Sequence, residues 1–340
     1  DGSMSDLLKK SIPGVWKKFA TCNTAFRHLL KNMYQWSTIL DVCAGDFGRN
    51  VGSQLTSLND SLNECRASVA KYVKTRRSIF PRFYFLDEYS ILEFVASSHA
   101  IEQCQTYFNL IFQGVHRVQV KESSTLPTIT GVRSMDEEKL VFVNECVCDE
   151  LAEIWLTKLE NIIRHSVKDS IMHSLINSHS ALKLPRGMWI LQNSSQSITV
   201  AARISFTMSI IHCFKVRDST GVNLNKHLCV VSNNLNETIM LIRSQLTTSN
   251  KFKCSKLITI DIHHRDIVNH LLAAHRDGEL DECSYEWHKS FRVEWDSTSD
   301  AVVQTDGTVS CPTQFATGEI VGKCMNFKSS YMYEYTGSRD

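Results

Sequence analysis

The stretch from Asp149 to about Ser178 constrains the fold more than any other. Leu151, Ile154, Trp155, Leu159, Ile162, Ile163, Val167, Ile171 and Leu175 recur there in mixed steps of three and four. Lys158, Glu160, Arg164 and Lys168 fill positions between them, and Asp149 stands where an N-cap belongs. A helix of roughly 28 residues rises 1.5 Å per residue and is about 42 Å long. That length exceeds the diameter of a small domain and predicts a rod-like bundle.

Five prolines in 340 residues impose few helix stops. Comparable periodicity predicts helices over Ser53–Arg77, Tyr89–Gln113, Gln192–Lys215, Leu224–Thr248 and Lys251–Arg276. Two regions break the helical period. Val115–Val143 holds short β-rich pieces around Pro127 and Gly131 and reads as an antiparallel meander. From Phe291 on, strand-like pieces resume: Phe291–Trp295, Ala301–Gln304, the turn Asp306-Gly307, Gly318–Lys323 and Tyr331–Tyr335. The last of these alternates rings at period two, which predicts a strand paired with an upstream one, all three tyrosines on one face. Gly337 follows, where the chain can turn without a Cβ penalty, and order is expected to be lost beyond it. The predicted fold class is mainly α, an elongated bundle of long antiparallel helices with two small antiparallel β patches at about 115–143 and 291–335. The predicted divisions are 5–114 helical, 115–143 meander, 144–290 long helices and 291–340 C-terminal hairpin. Residues 1–4 (Asp-Gly-Ser-Met) read as a cloning scar ahead of Met4.

A formal charge of +1 gives no long-range field of the kind that draws nucleic acid or anionic membrane. No run of about 18 uncharged apolar residues offers a bilayer span. The twelve cysteines are scattered without a Cys-x-x-Cys, a pattern that fits reduced thiols acting as small hydrophobes in a cytosolic compartment.

Several short motifs imitate catalytic ones. Gly318–Cys324 resembles a phosphate loop, but three residues separate its glycines where four are needed, and Cys324 stands where Ser or Thr would meet Mg²⁺. A glycine-flanked strand fits better. Asp46-Phe47-Gly48 precedes His264-Arg265-Asp266 and His275-Arg276-Asp277, the reverse of the kinase order. His263 and His270 share a helix face but lie two turns apart, about 10.5 Å along the axis, too far for one zinc ion. His264 falls on the apolar stripe with Leu257, Ile260, Val268 and Leu271, and reads as a partly buried, satisfied histidine. Asp261 and Arg265, four apart, read as a surface ion pair. On residue chemistry alone the chain is a helical non-enzyme. Catalytic residues, metal ligands and cofactors are all expected to be absent from it.

Phe80-Pro81-Arg82-Phe83-Tyr84-Phe85-Leu86 packs four rings into seven residues, between the basic run Lys71–Arg77 and the acidic Asp87-Glu88. Pro81 ends the preceding helix and biases Phe80 to extended geometry. Burial of Phe83 and Phe85 would contribute roughly 2–3 kcal/mol each to a rigid elbow between helices.

This heptapeptide resembles one in the linker domain of dynein heavy chains, just before the first AAA+ module. Further blocks match in the same order. They are Glu153–Glu160, the helix motif Leu257–Val268 with His263, Arg265 and Asp266, Tyr285–Trp295, and Tyr331-Met332-Tyr333-Glu334-Tyr335-Thr336-Gly337. The matches run from about Leu58 to the end. The family's acidic signature is not recognisable around Met135–Glu138, and Ile91-Leu92-Glu93-Phe94 replaces a Leu-Leu-Glu-Ile, which marks a divergent member. The wording of Ile258–His263 leans towards the axonemal branch.

The resemblance implies a mechanical lever with no catalysis of its own, with Phe80–Leu86 as elbow and Tyr331, Tyr333, Glu334, Tyr335 and Gly337 as the hinge to the ring. It implies ATP and Mg²⁺ in an AAA+ ring of the same heavy chain, and microtubules as the track. Dynein intermediate and light chains would bind through a tail, with no nucleic-acid or membrane partner. The location implied is the cytoplasm and cytoskeleton, including the axoneme of a cilium or flagellum. An AAA+ module is expected beyond Asp340. The rival readings are a free-standing helical scaffold and a metal- or nucleotide-dependent enzyme built on the histidine helix or the Gly318–Lys323 loop.

Overall fold

A computed structural model describes residues 2–35, 38, 40, 43, 45–98, 100–121, 126–149, 151–179, 185–215, 221–276, 284–296 and 318–338. They form a mainly helical protein with two three-stranded antiparallel sheets, as the periodicity predicts. In chain order the helices are α1 (Gly2–Ser11), α2 (Pro13–Met33), α3 (Gly45–Ile79), α4 (Glu88–Ala96) and α5 (Gln105–Ile111). Strands β1 (Arg117–Val120), β2 (Thr128–Arg133) and β3 (Lys139–Val147) follow. Then come α6 (Ala152–His179), α7 (Arg186–Gln192), α8 (Ser195–Lys215), α9 (Val222–Ile242), α10 (Thr248–Arg276) and α11 (Tyr285–His288). Strands β4 (Arg292–Asp296), β5 (Glu319–Cys324) and β6 (Phe327–Ser330) close the order. Residues 2–4 lie in α1. Ala301–Gln304 and Asp306-Gly307 lie outside the described residues.

The chain forms two compact units. The first contains α1–α5, residues 122–128 and residues 147–158. Its core is a run of rings. Phe80 meets Phe83 edge-on at 5.1 Å, Phe83 meets Phe94 at 6.0 Å, and Phe94 and Phe108 both pack on Trp155. The α6 helix begins at Ala152, because the Leu151 carbonyl takes the first helical bonds from Ile154 and Trp155. Asp149 therefore lies outside the helix and is not its N-cap. The predicted helix Tyr89–Gln113 is two helices, α4 and α5. Between them the chain makes successive tight turns, with Ser98 Oγ donating to Val95 O and Cys104 Sγ to Ser97 O. Serine hydroxyls that bond the local backbone compete with helix continuation there.

The second unit contains β1, most of β2 and β3, and everything from Leu159 on. Val118 pairs with Val132 in the meander, whose ladder is shifted by a bulge between Gln119 and Val120. Phe206 and Ile210 of α8, Leu224 and Val231 of α9 and Val268 and Leu271 of α10 form the helical core with Trp287. The α8 helix is long and apolar enough to cross a membrane by length and composition alone. Ten of its residues are buried within the unit, and Arg203 sits mid-helix, as suits a core helix. Strand β5 pairs with β4 (Glu294↔Val321) and with β6 (Gly322↔Ser329).

Candidate functional site

Beyond β6 the chain leaves the ladder. Tyr331 N still donates to Ile320 O at 2.9 Å, but residues 331–336 have no regular secondary structure. The predicted strand over Tyr331–Tyr335 is thus corrected: Phe327–Ser330 takes the pairing with β5, and Tyr333 has φ +52°. A β-ladder has no place for a left-handed residue. The alternation of the three tyrosines fails for the same reason. Tyr331 and Tyr333 meet edge-on at 5.2 Å and are half-buried, whereas Tyr335 is buried.

This exit segment is seated by side chains from distant parts of the same unit. The side-chain amide of Gln196, in the first turn of α8, donates to Tyr331 Oη (2.7 Å) and Glu334 O (2.6 Å). Its Oε1 accepts from Thr336 N (3.2 Å). Arg164 of α6 pairs with both Glu160 (2.6 Å) and Glu334 (3.1 Å). Tyr335 Oη donates to Glu138 O, and Ile320 N donates to Tyr333 Oη at 3.0 Å. Burial raises the Tyr335 hydroxyl well above the usual tyrosine range, and the Glu138 carboxylate adds to the shift. The Lys168 ammonium lies 5.7 Å from the Tyr333 ring and 6.0 Å from Trp295, within range of cation–π attraction. Gly337 has φ +67°, the left-handed conformation for which glycine suits the turn. Order persists one residue beyond it: Ser338 is buried and hydrogen-bonds Asp136, while residues 339–340 lie outside the described ones.

Two further residues build the floor under this segment. Glu138, in the β2–β3 turn, is buried. Its carboxylate accepts from Ser195 N at the start of α8 (2.8 Å) and pairs with Lys253 Nζ (3.0 Å). A carboxylate on the exposed amides of a helix N-terminus is favoured by the helix dipole. Gly114 lies against the exit backbone, where a Cβ would collide with the carbonyl of Tyr335. Gln196, Glu138, Gly114 and Arg164 were not singled out from sequence. Gln196 lies 135–140 residues from its partners, and only Gly114, an isolated glycine between two predicted elements, carried even a weak signal.

The Phe80–Leu86 elbow lies in the first unit. It is a 3₁₀ turn, Pro81–Phe85, with Phe80, Phe83 and Leu86 buried. Three residues per turn put positions 80, 83 and 86 on one line. The expected burial of Phe85 is corrected for that reason: Phe85 is 68% exposed and Tyr84 63%. Arg82 Nη1 donates to Ile111 O, and Arg77 donates to Leu86 O while lying over the Tyr84 ring. Arg76 forms an ion pair with the buried Glu153 (3.1 Å).

The α10 motif separates into two faces. His263 is exposed, and Arg265 pairs with its neighbour Asp266 at 3.0 Å. The expected Asp261–Arg265 surface pair is not formed. Asp261 is buried and pairs with Arg186 of α7 at 2.5 Å, because position 261 falls on the core side of the helix with Leu257 and His264. Burial raises the Asp261 carboxyl, with Arg186 opposing the shift. His264 is buried and stacked on Phe206 at 3.9 Å. Burial holds its pKa well below the usual value, with His263, Arg203 and His227 adding to the effect. Gly318–Cys324 is a strand for all but its first residue, and Lys323 pairs with Glu294 across the ladder (2.6 Å). Asp46-Phe47-Gly48 lies within α3 and His264-Arg265-Asp266 within α10. Among the described residues no group of three metal-ligating side chains converges.

Comparison with known proteins gives these elements a family. Residues 2–174 match the model of "Dynein heavy chain, N-terminal region 2". The chain is 24% identical over 335 residues to the dynein beta chain of the flagellar outer arm of Chlamydomonas reinhardtii, covering 97% of this chain and 7% of that protein. It is 25% identical over 304 residues to the dynein-1-beta heavy chain of the flagellar inner arm I1 complex of the same alga (88% and 6%). Human dynein axonemal heavy chain 2 is 27% identical over 296 residues (84% and 6%). The chain thus spans about a fifteenth of the length of these relatives. The family match begins at residue 2, well before the Leu58 at which the ordered motifs begin. A helical protein with this match belongs to the dynein heavy chain family, by its N-terminal region 2.

Proposed function

We propose that the chain is the linker segment of an axonemal-type dynein heavy chain, a lever that carries ATP-driven rearrangement of an AAA+ ring into movement along microtubules. The lever has no catalytic step of its own; ATP and Mg²⁺ act in the ring. The one observation that carries the reading is the seating of the exit segment, where Tyr331, Glu334, Tyr335 and Thr336 are held by α6, α8 and the meander turn. The resemblance of the ordered motifs favours this segment as the junction with the ring, and a lever needs its base gripped at one defined place. The elbow serves stiffness in the same reading. Its rings interlock at 5–6 Å, Arg77 ties down the Leu86 carbonyl at the end of the turn, and Arg82 ties down the Ile111 carbonyl at the end of α5.

The names of the relatives place them in flagellar and axonemal dyneins, which favours a cilium or flagellum as the location of this protein. The ring, microtubules, and intermediate and light chains on a tail are its partners in this reading. The test is microtubule gliding by the whole heavy chain. Glu334→Ala combined with Gln196→Ala should slow gliding at least fivefold with basal ATP turnover within twofold of wild type. Unchanged gliding would reject the lever base at this segment.

A further inference from the structure

Gln196 does something unusual for a side chain at a helix start. Its amide donates to the carbonyl of Glu334 and accepts from the N–H of Thr336. One residue of a parallel strand brackets its neighbour in the same way, with one bond to residue j−1 and one to residue j+1. Its second N–H goes to Tyr331 Oη, so a buried amide has all three contacts filled by the exit segment. We infer that Tyr331–Ser338 is a releasable strap, and that Gln196 is the positioning residue that seats it in place of a missing strand.

Three observations point to release as a unit. The strap is held mainly by hydrogen bonds and one ion pair to Arg164, contacts that water can replace, and Tyr335 is the one large side chain that it buries. The ion pair is shared, since Arg164 also reaches Glu160 on its own helix and keeps that partner when Glu334 leaves. Tyr333 is held at φ +52°, a strained backbone that relaxes on release. The helices beneath have an apolar core of their own and do not depend on the strap for it. Undocking leaves the amide of Gln196 and the Glu138 carbonyl to solvent. The strap's part in movement rests on the lever reading, whereas its release does not.

Hydrogen exchange on the whole 340-residue chain tests this. In the wild type, the Thr336 amide should exchange through an opening that is insensitive to low denaturant, at least tenfold faster than amides of α8 and α10. In Gln196→Ala and Gln196→Glu, exchange across 331–338 should rise at least tenfold further, with α8, α10 and the β4–β5 ladder within twofold of wild type. Thr199→Ala, which removes a hydroxyl bond one turn along α8, serves as control and should leave the strap protected. The inference fails if Thr336 exchanges only with global unfolding, if both Gln196 variants keep the strap protected, or if strap and helices accelerate together. The wild-type arm decides even if a variant does not fold. Failure of gliding to respond to strap variants that do release would refute the lever reading and leave the strap standing.

Discussion

Replacing Phe83 by alanine, with Phe85→Ala beside it, separates an interlocked elbow from a merely aromatic one. Phe83 is fully buried and meets two rings edge-on, Phe80 at 5.1 Å and Phe94 at 6.0 Å. Truncating a buried phenylalanine costs about 3–5 kcal/mol, from lost transfer energy and the cavity left behind. Edge-to-face pairs contribute about 0.5–1.5 kcal/mol each beyond burial, which puts Phe83→Ala toward the upper end of that range. Phe85 points outward at 68% exposure, and its truncation should stay within about 0.5 kcal/mol. Urea unfolding followed by exchange of amides in α4 and α5 reads the first unit alone. The ring of Trp155 packs against Phe94 and provides a second probe. A Phe83→Ala loss below about 1 kcal/mol, or a Phe85→Ala loss that matches it, would refute the three-residue periodicity on which the elbow rests.

Gly114→Ala should destabilise the second unit by about 1–3 kcal/mol, since the new methyl collides with the backbone of Tyr335 and Thr336 while the segment is seated. Thermal unfolding with near-wild-type stability would show that the exit backbone moves away freely. Acid should weaken the same unit. His227 has its pKa lowered to about 4 by burial, and His264 lies well below its ordinary value. Both take up protons more readily unfolded, so stability is full above about pH 6.5 and declines as pH falls towards the folded values. His227 alone accounts for about 2 kcal/mol between pH 7 and pH 5. Flat stability over that range, measured by urea titration, would contradict two histidines held neutral in the fold. Calorimetry should find no ATP affinity tighter than about 100 µM, roughly 5.5 kcal/mol. Tighter binding lost in Lys323→Ala would contradict the strand assignment of Gly318–Cys324.

The long helices were legible because periodicity over 25–30 residues leaves little choice of face. The α6 and α10 helices end within three residues of where the pattern puts them. Phe80–Leu86 was legible as a joint but not in its facing, since seven residues contain too few turns to choose a period. At Asp261 the i, i+4 rule predicted a surface pair with Arg265, and a partner 75 residues away won. Burial of position 261 is a tertiary fact. The exit segment failed at period two for a related reason. Alternating rings specify a strand only when a neighbouring backbone is free to pair, and here Gln196 supplies the pairing groups. Its seat is assembled from α6, α8 and the meander turn, and no local pattern encodes such a convergence.

The lever account stands or falls most directly on Gly337→Pro in the whole heavy chain. Proline fixes φ near −65°, whereas Gly337 sits at +67°. The turn at Gly337 then cannot form as it does here. Microtubule gliding and ATP turnover are measured on the same preparation. The account predicts gliding slowed at least fivefold while ATP binding and basal turnover stay within twofold of wild type. Gliding at an unchanged rate would contradict it.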